Sequence, residues 1–216
     1  TGGTAAEVFD YLRLLWSRVG RTYCPDCDQE VRPDTVSSAV DRILRMPEGS
    51  RILVTFPLTL SHRVTHPLVV ENLLAMGFLR VLADGELIDL GITDPEDPGA
   101  LGVDLTSSSR LLVVVDRLKV ARAVRDRLAD SIGTAFAEGE GEAVVVEVVR
   151  DGAGTYREAL DFTEHFRCPK HPDREFPEPS PQLFSLKNPY GSCPVCTGFG
   201  ATLEYDEDLI VPNPER

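Results

Sequence analysis

The chain has 216 residues, of which 42% are hydrophobic and 26% charged, with a formal net charge of −13. That balance fits a globular protein of one large domain or two small ones, and no apolar run approaches the ~18–20 residues a bilayer-spanning helix needs. The acid excess argues against a chain that grips nucleic acid over a broad face, because phosphate binding needs Lys and Arg to displace counterions; it fits a solvating surface, or an acidic patch that meets a basic partner. The opening Thr1-Gly2-Gly3-Thr4 has no initiator Met, basic n-region or apolar leader, so we expect a cytoplasmic segment of a longer protein.

The first element reads as a helix. Thr4 and Glu7 fit a capping box, and Val8, Leu12, Leu15 and Val19 form one apolar stripe that Phe9 and Trp16 widen and Gly20 ends. Cys24-Pro25-Asp26-Cys27 follows in a loop, then a helix over about 35–46 and a buried strand over 52–56. Pro67 suits the first turn of a third helix, 68–76, with Gly77 as its C-terminal cap. Asp84-Gly85 between two apolar runs predicts a hairpin of 78–82 with 86–90. Residues 91–109 read as a loop and 111–115 as a strand. From Lys119 to Phe136, Val120, Val124, Leu128 and Ile132 recur every four residues, which predicts a long amphipathic helix, and 143–149 returns as a strand. After Asp151-Gly152 the texture changes to an extended 162–166 and a Pro-rich stretch, 172–181. Turns at Asn188-Pro189-Tyr190-Gly191 and Gly198, Gly200 follow.

Three half-sites for a metal punctuate this pattern: Cys24/Cys27, Cys168/His171 and Cys193/Cys196. Two soft or borderline ligands separated by two residues let one tight turn aim both at a single ion, and zinc needs four in tetrahedral array. His171 and Cys193 are separated by 21 residues, close to zinc-ribbon spacing, so Cys168, His171, Cys193 and Cys196 are expected to hold one zinc. On that pairing the zinc is lost in Cys193→Ser and retained in Cys24→Ser. The Cys24/Cys27 pair is then metal-free, or completed by ligands outside the chain, or takes the place of Cys168/His171. A thiol-redox role fits poorly, because the pair follows a helix where redox pairs precede one. No Gly-x-x-x-x-Gly-Lys-Ser/Thr loop is present to cradle phosphates, and no Ser/His/Asp set assembles, so no catalytic residues are expected.

Four stretches resemble the UvrA family, the damage-sensing ATPases of bacterial nucleotide excision repair. They are Glu7-Val8-Phe9-Asp10-Tyr11-Leu12-Arg13-Leu14-Leu15 with Arg18-Val19-Gly20, and Gly77-Phe78-Leu79-Arg80-Val81 with Asp84-Gly85-Glu86. The others are Val113-Val114-Val115-Asp116-Arg117-Leu118, and Pro181-Gln182-Leu183-Phe184-Ser185 with Asn188-Pro189-Tyr190-Gly191-Ser192-Cys193-Pro194-Val195-Cys196. The resemblance implies structural zinc, with residues 168–196 as a complete four-ligand module in which His171 stands where Cys is frequent. It implies that Cys24 and Cys27 are half of another module, completed far downstream. It implies that the middle domain docks a UvrB-type helicase subunit. ATP sites would lie outside the segment, in an ABC-type ATPase that forms a homodimer on damaged DNA. The fold expected is α+β: a mixed α/β interaction domain over 31–150, inserted into a zinc-ribbon-bearing framework made by 1–30 and 151–216. The alternative is a zinc-ribbon nucleic-acid-binding module of a UvrA-like paralogue.

Overall fold

The computed structural model describes residues 2–61, 63–92, 102–149, 155–168 and 170–202. In chain order its regular elements are α1 (Gly2–Val19), β1 (Thr22–Tyr23), β2 (Glu30–Val31), α2 (Val36–Ile43), β3 (Arg51–Pro57), α3 (His66–Ala75), β4 (Arg80–Ala83) and β5 (Glu86–Asp89). Then come β6 (Leu111–Lys119), α4 (Arg125–Glu138), β7 (Glu142–Val149), β8 (Thr155–Thr163), β9 (Arg167–Cys168) and β10 (His171–Glu175). The fold is α+β. Contacts divide the chain into Pro33–His165 and a second unit made of Thr1–Arg32 with Phe166–Arg216.

Within Pro33–His165 one antiparallel sheet has the order β5-β4-β6-β3-β7-β8. Strand alternation sends Ile52, Val54 and Phe56 to one face, where they pack with Val40, Ile43, Val70, Leu73, Leu128 and Ile132 of the three helices. The opposite face carries a smaller cluster drawn from strands alone: Leu53, Leu82, Leu112, Val114, Val144 and Val146. Local chemistry sets the element ends. Thr35 caps α2 in a reciprocal box with Ser38, Pro67 opens α3, and Gly77 (φ 89°) closes it. Asp84 and Gly85 turn the β4–β5 hairpin with φ of 48° and 89°.

Three expectations change. The strand expected to end at Val115 runs to Lys119, because residues 116–119 find partners in Arg51–Val54 and the Val120 N–H donates to the Ser50 carbonyl. Strand pairing there overrides the helical period, and α4 starts only at Arg125. Residues 155–163, read as part of the returning framework, form the edge strand β8 of this sheet. A bulge at Ala159 shifts its register, sending Leu160 and Phe162 to one cluster and Tyr156 to the other, so no single apolar alternation runs along it. The chain then bends at residues 164–166, where the sequence suggested continued extension. Of the expected 91–109 loop, residues 93–101 lie outside the described residues, as do Asp151-Gly152.

The second unit is built differently. Helix α1 begins at Gly2, so Thr4 lies inside the helix and not at its cap. Its apolar stripe is uncovered: Leu12 is 41% exposed, Trp16 53% and Val19 65%. The buried centre of this unit is small. Cys24, Val31 and Cys168 are buried, with Cys27, Phe166 and Phe176 packed around them. None of its described helices is long and apolar enough to cross a membrane, nor is any elsewhere in the described chain.

Candidate metal centre

Two short hairpins present the ligands. β1 pairs with β2 antiparallel, Thr22 opposite Val31, and the connecting turn carries Cys24 and Cys27. The Cys24 N–H donates to the Gln29 carbonyl at 2.9 Å and the Asp28 N–H to the Cys24 carbonyl at 2.8 Å, with Asp28 at φ 56°. β9 and β10 form the second hairpin, with His171 opposite Cys168. Arg174 of β10 reaches the Asp26 carboxylate between the two cysteines, Nε to Oδ2 3.1 Å.

The ligand atoms of Cys24, Cys27, Cys168 and His171 all lie within 4.8 Å of one another. Cys24 Sγ is 3.4 Å from His171 Nδ1, Cys168 Sγ is 3.6 Å from the same nitrogen, and Cys27 Sγ is 3.6 Å from Cys168 Sγ. Four donors around one zinc at ordinary bond lengths stand about 3.6 Å apart for S···N and about 3.8 Å for S···S. The distances therefore match the edges of a zinc tetrahedron, and they are far too long for a disulfide, which needs S–S of about 2.05 Å. Cys24 and Cys168 are buried and Cys27 is half-buried. Burial resists ionisation of Cys168, yet N–H groups of Lys170 and His171 and the thiols of Cys27 and Cys24 outweigh it and hold the thiol below its ordinary value. The Gln29 amide favours the Cys27 thiolate, but burial and the sulfurs of Cys168 and Cys24 overcome it, and that thiol is pushed up. A cation at the centre of the group would favour the thiolate form of its cysteines.

This grouping differs from the pairing expected from spacing. Cys168 and His171 meet Cys24 and Cys27, not Cys193 and Cys196. β10 folds back onto β9 and is tied to Asp26, which aims His171 at the first knuckle. Cys193 and Cys196 sit in a separate run of turns, exposed and half-exposed. The Cys196 and Val195 amides lower the Cys193 thiol, and Gly198 (φ 91°) passes so close to the Leu186 carbonyl that any side chain there would collide. Among the described residues no third ligand joins that pair. All three half-sites share a Cys-Pro-x-ligand pattern; the one signal for this grouping was that Cys24/Cys27 and Cys168/His171 are the two that lie nearest the inserted domain on its two sides.

A family model described as the UvrA interaction domain matches residues 34–150. The chain belongs to the UvrA family. Over its whole length it is 42% identical to UvrABC system protein A of Methanothermobacter thermautotrophicus, covering 21% of that protein. It is 40% identical to the Haemophilus influenzae protein of the same name over 99% of the chain, and 38% identical to that of Bacillus subtilis over the full chain, again covering 21% of each. The chain thus spans about a fifth of the length of these UvrA relatives. The interaction-domain match coincides with the sheet-and-helix unit except that it stops before β8, and the candidate metal ligands lie just outside it on both sides.

Proposed function

We propose that this chain is the docking segment of a UvrA-type repair ATPase. Residues 33–165 dock a UvrB-type helicase subunit, and Cys24, Cys27, Cys168 and His171 hold one structural zinc. ATP binding, homodimerisation and damaged-DNA recognition then belong to the rest of a cytoplasmic parent protein in nucleotide excision repair. The zinc would supply a cross-link between hairpins and no chemistry on a substrate; its support is the tetrahedral spacing of the four donors.

The docking reading is supported by the helix-free face of the sheet. Arg51 stands opposite Lys119, and Arg117 opposite Leu53, so the three cations share the face that carries Leu53 and Val146. All three are exposed, and none has an ion pair among the described residues, although the chain has 35 acidic residues to 22 basic ones. Unpaired exposed cations on this face suit an acidic protein surface, with charge guiding the encounter.

Calorimetric titration of the chain with the matching UvrB-type subunit tests this. We expect saturable one-to-one binding that weakens with salt and falls further in Arg51→Glu/Lys119→Glu. Absence of binding, with fold and metal intact, would overturn the docking role.

A further inference from the structure

The two halves of the metal centre are 141 positions apart in sequence, so something must bring them together before a metal can bind. The inserted domain does this at its root. The Asp34 N–H donates to the Thr163 carbonyl at 2.7 Å, and the Thr163 N–H donates back to Asp34 Oδ2 at 3.2 Å. Asp34 is held in turn by the Ser38 hydroxyl (3.4 Å) and Arg42 Nη1 (3.3 Å). Thr163 donates its hydroxyl to Glu142 Oε1 at 2.7 Å, and the Glu164 N–H donates to the Gly141 carbonyl at 2.8 Å. Entering and leaving chains are thus fastened to each other and to the start of β7. Asp34 lies seven residues after Cys27, and Thr163 five before Cys168.

We propose that the Asp34–Thr163 clamp pre-assembles the metal centre, with Asp34 as its positioning residue. The inference rests on the four-ligand metal reading above. A flexible link of about 140 residues would bring its ends together at roughly fortyfold lower effective concentration than one of about 12, the path that runs through the clamp. Opening the clamp does not restore the full loop, because the sheet still closes the domain; it lengthens the free path to about 20 residues. The expected loss in metal affinity is therefore about twofold.

The test is Co2+ titration of the full 216-residue chain, with a competing chelator and the tetrahedral d–d absorption as readout. Asp34→Ala should weaken Co2+ binding by about twofold with the spectrum unchanged. Asp34→Asn keeps an acceptor for the Thr163 N–H and should bind like the parent chain. Asp34→Pro also removes the N–H and should bind more weakly than Asp34→Ala; if it does not fold, the Ala and Asn variants carry the comparison. Asp116→Ala, which loosens the same domain far from the clamp, should lower its melting temperature without changing Co2+ affinity. Equal affinity in Asp34→Ala and the parent chain overturns the clamp, as does an equal loss in Asp116→Ala. No tetrahedral Co2+ spectrum in the parent chain would instead overturn the metal reading, and this inference with it.

Discussion

Replacing Cys24 by Ser should weaken zinc binding by roughly 10²-fold, and replacing Cys193 by Ser should not weaken it. This reverses what loop spacing suggests, and the reason is geometric: Cys24 Sγ sits 3.4 Å from His171 Nδ1, whereas no third ligand joins Cys193 among the described residues. Structural zinc sites bind with about 10–16 kcal/mol in total, so losing one of four donors should cost about 3 kcal/mol, roughly 10²-fold in affinity. Cys168→Ser should behave alike, since Cys168 is also fully buried in the group. The assay is zinc release to a chromophoric chelator, with stoichiometry from elemental analysis and circular dichroism as a folding control. Zinc retained by Cys24→Ser and lost by Cys193→Ser would refute the grouping. One tightly held zinc per chain, lost in Cys24→Ser and Cys168→Ser alone, is the expected pattern.

Other consequences can be measured on the same chain. His171→Cys should keep one metal, because sulfur at that corner completes a four-thiolate set; Co2+ spectra should show stronger thiolate charge transfer, and loss of binding would contradict the site. Asp116 joins β6 to α4 through a fork to Arg127 (2.8 and 2.7 Å) and a bond from Ser131 (3.0 Å). Asp116→Ala should cost about 1–2 kcal/mol in urea unfolding, most of it from the part-buried carboxylate's hydrogen bonds, since Arg127 is exposed. Burial opposes ionisation of that carboxyl, but Arg127, Ser131 and the Arg117 amide outweigh it and lower its pKa. A depressed folded-state pKa means this contribution is present above the unfolded value near 3.9 and is lost as pH falls through the folded one. The variant should therefore match the parent chain in strong acid and differ from it at neutral pH. A side chain at Gly139 would meet the Phe56 Cβ at 2.6 Å, so Gly139→Ala should cost about 1–3 kcal/mol in the same unfolding assay.

The elements that sequence revealed are those whose causes are local. Pro67, Gly77 and the Asp84-Gly85 turn each act within a few residues, and each stands where its chemistry required. The α4 face of Leu128 and Ile132 was legible from its period, and both side chains are fully buried. What escaped was set by distant partners. β6 grew to Lys119 because β3 supplied a partner, and β8 escaped notice because an edge strand need not alternate. The proposed metal centre is the extreme case. Spacing rewards half-sites joined by a short loop, so Cys168/His171 seemed to belong with Cys193/Cys196. A folded domain can make a long connection shorter than a short loop, and the bonds between Asp34 and Thr163 do so here.

Dependence between the two units should then run one way. The two main clusters of the inserted domain contain no cysteine, and its sheet closes through backbone pairing alone. The buried cluster of the other unit is made largely of the ligands themselves: Cys24 and Cys168, with Val31. So small a core cannot offset the chain entropy of ordering two hairpins, whereas a bound metal can. Hydrogen exchange with and without chelator should therefore lose protection in residues 22–31 and 167–175 while β3, β6 and β7 keep theirs. The converse perturbation should propagate, because unfolding the insert separates the half-sites and releases the metal. If chelation stripped protection from β3 and β6 as fully as from the hairpins, the domain would need the metal for its own fold, and the metal would be its nucleus instead of its anchor.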